Sequence, residues 1–445
     1  MTLPPNIEST PTSASWAARD LRSLWHPFTQ QSEWQPLVIV AGDGNYLIDE
    51  HGRRYLDGVS SLWANLHGHR HPTLDAAIAK QLATLSHSTL LGLSHPTAIE
   101  LGEQLVALAP PGLQRVFYSD SGSTAVEVAL KMAFQFHQHG GDSKRQRFLA
   151  LRNAYHGDTL GSVSVGGIDL FHRLFSPLLF QTERVEPTLT ALASAFAEHG
   201  HTLAAFVVEP LIQGAAGMLL QPTGFLQRAR ELCDRYGVLL IADEVATGFG
   251  RTGKMFACEH VGVSPDFLCL AKGLSGGYLP LAATLTTETV YQRFLGRRSD
   301  LKTFFHGHTF TGNPLGCAAA LASLAIFREE RVLESLPVKL AALESLLREH
   351  LCQHPNVREV RRCGLMVGIE LGRDRDHAFA SELAIGARVC EQLRIHGVIL
   401  RPLGDVLVLM PPLSITLDEL RHLVEATRKS LDEVVASLIQ AEPAA

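Results

Sequence analysis

The sequence predicts an α/β protein: a large domain built on a mostly parallel sheet, and a smaller α+β domain. Three observations predict it. From residue 97 to residue 336, helical patterns alternate with short apolar runs, as expected for parallel strands with helices on both faces. Several of those runs stop abruptly at a charged side chain, as in Val238-Leu239-Leu240-Ile241-Ala242-Asp243-Glu244 and Leu268-Cys269-Leu270-Ala271-Lys272. After about Leu336 the pattern changes to amphipathic helices interleaved with isolated strands.

In chain order, residues 1–20 are rich in Ser, Thr, Pro and Ala and lack the basic start and apolar centre of a signal peptide. They are expected to form a mobile tail. Residues 38–59 read as short strands with turns at Gly42-Asp43-Gly44-Asn45 and Glu50-His51-Gly52. These strands are expected to complete the smaller domain. The chain then divides into a large domain over 70–336 and a small one made of 21–69 with 337–445. Large-domain strands are expected over 115–118, 147–151, 205–209, 238–243 and 267–271. Between the first two, Ala125, Val128, Ala129, Met132, Ala133 and Phe136 recur at helical spacing. The small domain should contain an amphipathic helix after Leu336, a strand over 365–371, a helix near 381–396, a strand over 406–410 and a last helix.

The 445 residues leave room for two or three domains with ample core. Charged residues make up 19%, below the usual quarter or so, so part of the surface is expected to lie in a subunit interface. A net charge of −6 with no basic run argues against nucleic-acid binding. No apolar stretch is long and clean enough to span a membrane. Seven scattered cysteines, with no C-x-x-C pair, suit a reducing cytosol and neither a disulfide framework nor a zinc site.

The charges at the run ends carry the sharpest chemistry. In an open α/β sheet, ligands sit outside the carboxyl ends of the strands. Neighbouring strands would aim Asp243 and Lys272 into one crevice. That pair suits pyridoxal phosphate chemistry, which needs a lysine for a Schiff base and a carboxylate for the pyridinium nitrogen. A solvated lysine after a strand is the plainer alternative for Lys272 taken alone. Asp120-Ser121-Gly122-Ser123-Thr124 opens a helix and reads either as an ordinary N-cap or as a phosphate site on free backbone N–H groups. Tyr155 could stack on a cofactor ring or sit in a surface turn; His156 could be a base or, the reading favoured by its turn, a structural hydrogen-bonding residue. Glu209 closes another apolar run, so it either faces cofactor and substrate or caps a helix.

Three further segments carry residues suited to ligand binding. Gly248-Phe249-Gly250-Arg251-Thr252-Gly253-Lys254 is a near miss for a nucleotide-binding P-loop, because Met255 stands where that motif needs Ser or Thr. A tight loop beside Asp243 is the reading adopted. His306 and His308 lack a third ligand, so no metal is expected. Thr309 could donate to a phosphate, and Arg401 could bind a substrate carboxylate in bidentate fashion or lie on the surface.

The joint order of these motifs resembles the class III, pyridoxal-phosphate-dependent aminotransferases over 24–431. The most specific run is Leu240-Ile241-Ala242-Asp243-Glu244-Val245-Ala246-Thr247-Gly248-Phe249-Gly250-Arg251-Thr252-Gly253, with Lys272 downstream. The resemblance implies fold type I and a homodimer with shared active sites. Within the class the chain is similar to the branch that aminates 8-amino-7-oxononanoate in biotin synthesis. It carries that branch's Trp25-His26-Pro27-Phe28-Thr29, Tyr155-His156-Gly157-Asp158-Thr159 and Met410-Pro411-Pro412.

Roles follow from the same resemblance. Lys272 is implied as the cofactor lysine, Asp243 as the pyridinium partner and Tyr155 as the residue over the ring. Gly122 and Ser123 match the phosphate-holding positions. His308 and Thr309 would reach the phosphate in the partner subunit. Gly307 and Arg401 would contact the keto acid. The remaining substrate contacts are Phe28, Leu62 and Trp63. Relatives that take S-adenosylmethionine as amino donor commonly carry tyrosine at the position of Phe28, tryptophan at that of Leu62 and a tyrosine near Val408. The apolar set here, with 87–92 and 403–405, is more similar to the Bacillus-type branch that uses lysine. Another class III ω-amino acid transaminase, of the 4-aminobutyrate or ornithine type, is the alternative. A cytoplasmic location is expected.

Overall fold

The computed structural model describes residues 15–441. Residues 1–14 of the expected tail lie outside the described residues. Where the rest of that tail was expected, a helix forms, Trp16–Ser23; Ser15 caps it by accepting the Ala18 N–H at 3.2 Å. The helix buries no side chain.

The large domain is a seven-stranded sheet. Its spatial order is Leu113–Ser119, Ala282–Thr287, Phe267–Leu270, Leu239–Asp243, Leu203–Val208, Arg147–Leu151 and Thr182–Val185. The central strands 203–208, 239–243 and 267–270 are buried throughout, which explains their unbroken apolar runs. Alternate residues feed two cores on opposite faces. Phe206, Val208, Leu240, Ala242, Leu268 and Leu270 point to one. Val207, Ile241, Phe267 and Cys269 point to the other, against Ala125, Val128, Ala129 and Met132 of the helix Gly122–His139.

One strand of this sheet, Ala282–Thr287, is antiparallel to both neighbours and was not expected. Its Ala-Ala-Thr-Leu-Thr-Thr sequence has no apolar run. The threonines are buried because their hydroxyls find backbone acceptors: Thr284 Oγ1 donates to Ala125 O at 2.8 Å, and Thr286 Oγ1 to Asp266 O at 3.0 Å. The edge strand Thr182–Val185 was likewise missed.

Two smaller sheets lie beyond. Val357–Cys363, Met366–Leu371, Val406–Leu409 and Arg401–Leu403 form an antiparallel four-stranded sheet. Ile39–Asp43, Tyr46–Asp49 and Arg54–Asp57 form a meander, and Val398–Ile399 adds to it in parallel, with Leu56 opposite Val398 and Asp57 opposite Ile399. The N-terminal strands and the C-terminal region therefore share a sheet. No helix of the described residues is long and apolar enough to cross a membrane.

The glycine-rich segment read as a tight loop folds on itself, with Phe249 N–H bonded to Met255 O and Gly250 N–H to Lys254 O. Its Arg251 is buried and donates to Pro411 O at 2.5 Å and Asn65 O at 2.9 Å. The hairpin turn at Gly364 packs on the backbone of Arg251 and Thr252. Gly364 has φ +65°, and a Cβ there would strike that backbone. Gly364→Ala is therefore expected to destabilise the fold by at least about 2 kcal/mol. A lowered urea midpoint checks this; an unchanged midpoint would show that the contact yields freely.

Candidate active site

The carboxyl ends of five strands meet around a cavity of about 770 Å³. Asp243 is the last residue of its strand and lies opposite Cys269; Ala242 lies opposite Val208. This register puts Glu209, Asp243 and Lys272 side by side along one edge of the sheet. The loop after Leu151 supplies Tyr155 and His156, and the loop after Ser119 supplies Gly122 and Ser123. All seven of these residues line the cavity, together with Leu62 and Trp63.

Burial sets the electrostatics. Desolvation lowers the Lys272 amine to a pKa of about 8, against the pull of Asp243 and Glu209 in the other direction. Burial raises Glu209 to about 7, with Asp243 adding to the rise and His156 opposing it. Glu209 is satisfied by two backbone N–H groups, Tyr155 at 3.1 Å and Gly214 at 2.9 Å. Asp243 Oδ2 lies 2.7 Å from His156 Nδ1, and Oδ1 accepts the Val245 N–H at 3.1 Å. Burial opposes charge on His156, but the hydrogen bond and charge of Asp243 outweigh it and raise its pKa. The Lys272 ammonium sits 4.6 Å from the centre of the Trp63 ring, within cation–π range.

The wall carrying Leu62 and Trp63 is unusual. Ser60, Ser61, Leu62 and Trp63 all have positive φ, at 52°, 47°, 73° and 68°. No glycine relieves this left-handed turn, and each such residue costs about 1–2 kcal/mol. Lys272 also has positive φ, 44°. Strain of this kind collects at functional sites.

At the opposite end, Ser121 caps the helix Gly122–His139 and Thr124 reciprocates. Ser123 Oγ lies 2.8 Å from Thr159 Oγ1 and accepts the Thr159 N–H at 3.0 Å. A Cβ on Gly122 would fall 2.5 Å from Val245 Cγ1, so only glycine lets the helix start approach the Asp243 loop. Tyr155 donates to Asp158 Oδ2 at 2.7 Å and lies parallel to the His172 ring. No group of three potential metal ligands occurs among the described residues.

Five expected site residues stand outside this cavity. Arg401 lies over Phe28, its guanidinium carbon 5.7 Å from the ring centre, and Phe28 packs edge-on against Phe171, a neighbour of Tyr155. The charge of Arg401 still reaches Tyr155. Gly307 and Thr309 are exposed. His308 Nδ1 lies 3.9 Å from Asp120 Oδ2, at the rim. Glu244 was not singled out from sequence. It is fully buried, raised to a pKa of about 7 by desolvation, and accepts Ala257 N–H at 2.7 Å and Cys258 N–H at 2.8 Å. Its place at the end of an apolar run was the available signal.

A family model described as aminotransferase class-III matches residues 28–431. The chain belongs to that family and is a pyridoxal-phosphate-dependent aminotransferase. It is 56% identical to an adenosylmethionine-8-amino-7-oxononanoate aminotransferase of Nitratidesulfovibrio vulgaris, over 95% of this chain and 83% of the relative. The crystal structure of the like-named aminotransferase from Methanocaldococcus jannaschii superposes with a TM-score of 0.91 at 44% identity, covering 93% of this chain and 98% of that one. An omega transaminase from Pseudomonas jessenii, in complex with PMP, gives 0.91 at 31% identity, covering 96% and 100%.

The residues present fit the cofactor. The cavity is of ligand size. A capped helix start borders one end, and a carboxylate and a buried amine border the other. Trp63 Nε1 and His156 Nε2 are buried there without a protein partner. In the cofactor-free chain, the low pKa of Lys272 predicts selective acylation by an amine-directed reagent. The neutral amine is the nucleophile, so the rate should rise with pH and level off above about 8, where ordinary lysines still climb toward about 10.4. Peptide mapping across a pH series checks this; a Lys272 profile matching the surface lysines would refute it.

Proposed function

We propose that this aminotransferase converts 8-amino-7-oxononanoate to 7,8-diaminononanoate, a step of biotin synthesis, with S-adenosylmethionine or L-lysine as amino donor, the pocket wall favouring lysine. The buried, weakly basic Lys272 amine beside Asp243 and Glu209 carries the chemistry. The printed names of two relatives spanning most of the chain support the substrate.

Pyridoxal phosphate, when bound, supplies an electron sink for the carbanion at the substrate carbon. Lys272 would hold it covalently, and its freed Nζ would take a proton from that carbon and pass it to the cofactor. A pKa of about 8 leaves part of the amine neutral near pH 7, so it can act as base without a large penalty. Asp243, oriented by His156, would keep the pyridine nitrogen protonated. Tyr155 would cover the ring, Gly122 and Ser123 would bind the phosphate, and Glu209 would stand beside the substrate. Arg401 and Gly307 would hold the keto acid, Arg401 through its carboxylate.

A homodimer belongs to the same reading. His308 and Thr309 would complete the partner's phosphate site. The uncovered Phe305 and Phe310, 76% and 57% exposed on that segment, support a covering subunit. The donor reading rests on the pocket wall. Phe28 and Leu62 are apolar and half-exposed, and Val408 packs in one cluster with Trp63. No polar side chain at those three positions would greet a bulky sulfonium donor. The cysteines are all free, which fits a reducing cytoplasm.

Product formation by the purified holoenzyme, with L-lysine and with S-adenosylmethionine in parallel, tests the reading. Diamine should form with lysine. Formation with S-adenosylmethionine alone would reverse the donor, and formation with neither would move the chain to another class III substrate. Lys272→Ala should lose about 10²–10⁴-fold in kcat from the missing proton carrier. Borohydride should no longer fix the cofactor to the chain; fixation that persists would refute the role of Lys272.

A further inference from the structure

The strained wall beside Lys272 is held by one buried carboxylate. Asp57 ends the strand Arg54–Asp57 and is 0% exposed. Its Oδ1 accepts the Ser61 N–H at 2.8 Å, and its Oδ2 accepts the Ser61 hydroxyl at 2.7 Å. Oδ2 also lies 3.0 Å from His69 Nε2. Both oxygens therefore grip the second residue of the left-handed turn. The next two residues, Leu62 and Trp63, line the cavity.

The grip matches the strain chemically. A carboxylate is acceptor-only and can serve a backbone N–H and a hydroxyl at once. Bonds to a charged acceptor are about twice as strong as neutral ones. They act where four successive non-glycine residues with positive φ most need support. Further bonds fasten the turn at its ends: Ser60 Oγ donates to Met410 O at 2.6 Å, and Met410 N–H to Gly58 O at 2.9 Å. Asp57 also stands opposite Ile399, two residues before Arg401. Its chain neighbours carry the bonds to that segment: Leu56 N–H donates to Gly397 O at 2.8 Å and Gly58 N–H to Ile399 O at 3.1 Å.

We propose that Asp57 is a positioning residue for amino transfer: it holds the Ser60–Trp63 turn left-handed and so fixes the wall that selects the amine admitted beside Lys272. This rests on reading the cavity as the site of amino transfer. A carboxylate that only stabilised the fold would affect all substrates and cofactor retention alike. A clamp on the wall affects how the amine sits.

The test uses holoenzyme of Asp57→Asn, Ser61→Ala and the double variant Asp57→Asn with Ser61→Gly. The first half-reaction is followed by the visible absorption of the bound cofactor, separately with L-lysine, S-adenosylmethionine and 4-aminobutyrate. Asp57→Asn should raise KM for the accepted amine about tenfold, with kcat within about threefold and cofactor content unchanged. Ser61→Ala, which removes only the hydroxyl bond, should shift KM the same way by less. Glycine takes positive φ without steric cost, so Ser61→Gly should recover at least about threefold of the KM lost in Asp57→Asn. An unchanged KM in Asp57→Asn, a fall in kcat and cofactor content without a KM change, or no recovery with glycine would overturn the proposal. If Asp57→Asn does not fold, an unchanged KM in Ser61→Ala overturns it. A natural chain that deaminates only 4-aminobutyrate refutes the biotin-pathway substrate; the Asp57 variants are then scored with that amine.

Discussion

Burial of one amine against two carboxylates is the constraint on which the rest of this molecule depends. Lys272, Asp243 and Glu209 lie at the carboxyl ends of three buried strands, where none can be hydrated freely. Unpaired charges in such a place are costly. The fold answers with hydrogen bonds in fixed directions: two backbone N–H groups on Glu209, and His156 with the Val245 N–H on Asp243. Two groups still yield: burial lowers the Lys272 amine to a pKa of about 8 and raises Glu209 to about 7. A reactive amine near neutral pH is thus a consequence of where the strands end.

A second buried charge ties that site to the smaller sheets. Arg251 is 1% exposed, and desolvation lowers its pKa to about 9, with Asp57 opposing the fall. It bonds no carboxylate. Its guanidinium reaches the carbonyls of Asn65 and Pro411, one from the N-terminal segment and one from the C-terminal region. Three distant stretches of chain meet on one side chain. Glu244 does similar work next to Asp243, pinning the turn at Ala257 and Cys258. The loop that resembles a P-loop therefore acts as a structural knot, and its Lys254 donates to a carbonyl, Glu259 O, at 3.1 Å.

What was legible in the sequence follows from the same physics. A central parallel strand must be apolar along its length, so a charge at its end is conspicuous; Asp243, Glu209 and Lys272 were found that way. The strand Ala282–Thr287 hid because its burial rests on threonine hydroxyls bonded to carbonyls far away in sequence. Glu244 was passed over because its partners are backbone N–H groups of a loop more than ten residues on. The left-handed turn at Ser60–Trp63 was invisible, since nothing in Ser-Ser-Leu-Trp announces positive φ. Phe28, Gly307, His308, Thr309 and Arg401 carry no local signal of what they face, and a single chain leaves them outside the cavity.

Strain and rigidity are distributed unevenly around this pocket. The sheet side is regular, doubly buried and built from residues suited to strands. The facing side carries the Ser60–Trp63 turn, four residues in conformations they rarely adopt. A rigid sheet can hold the acid–base groups in one geometry whatever amine enters. The strained side can be reshaped by a few substitutions, because its conformation rests on a small number of named bonds and not on the core. Chemistry and selectivity are thereby carried by different parts of the same cavity.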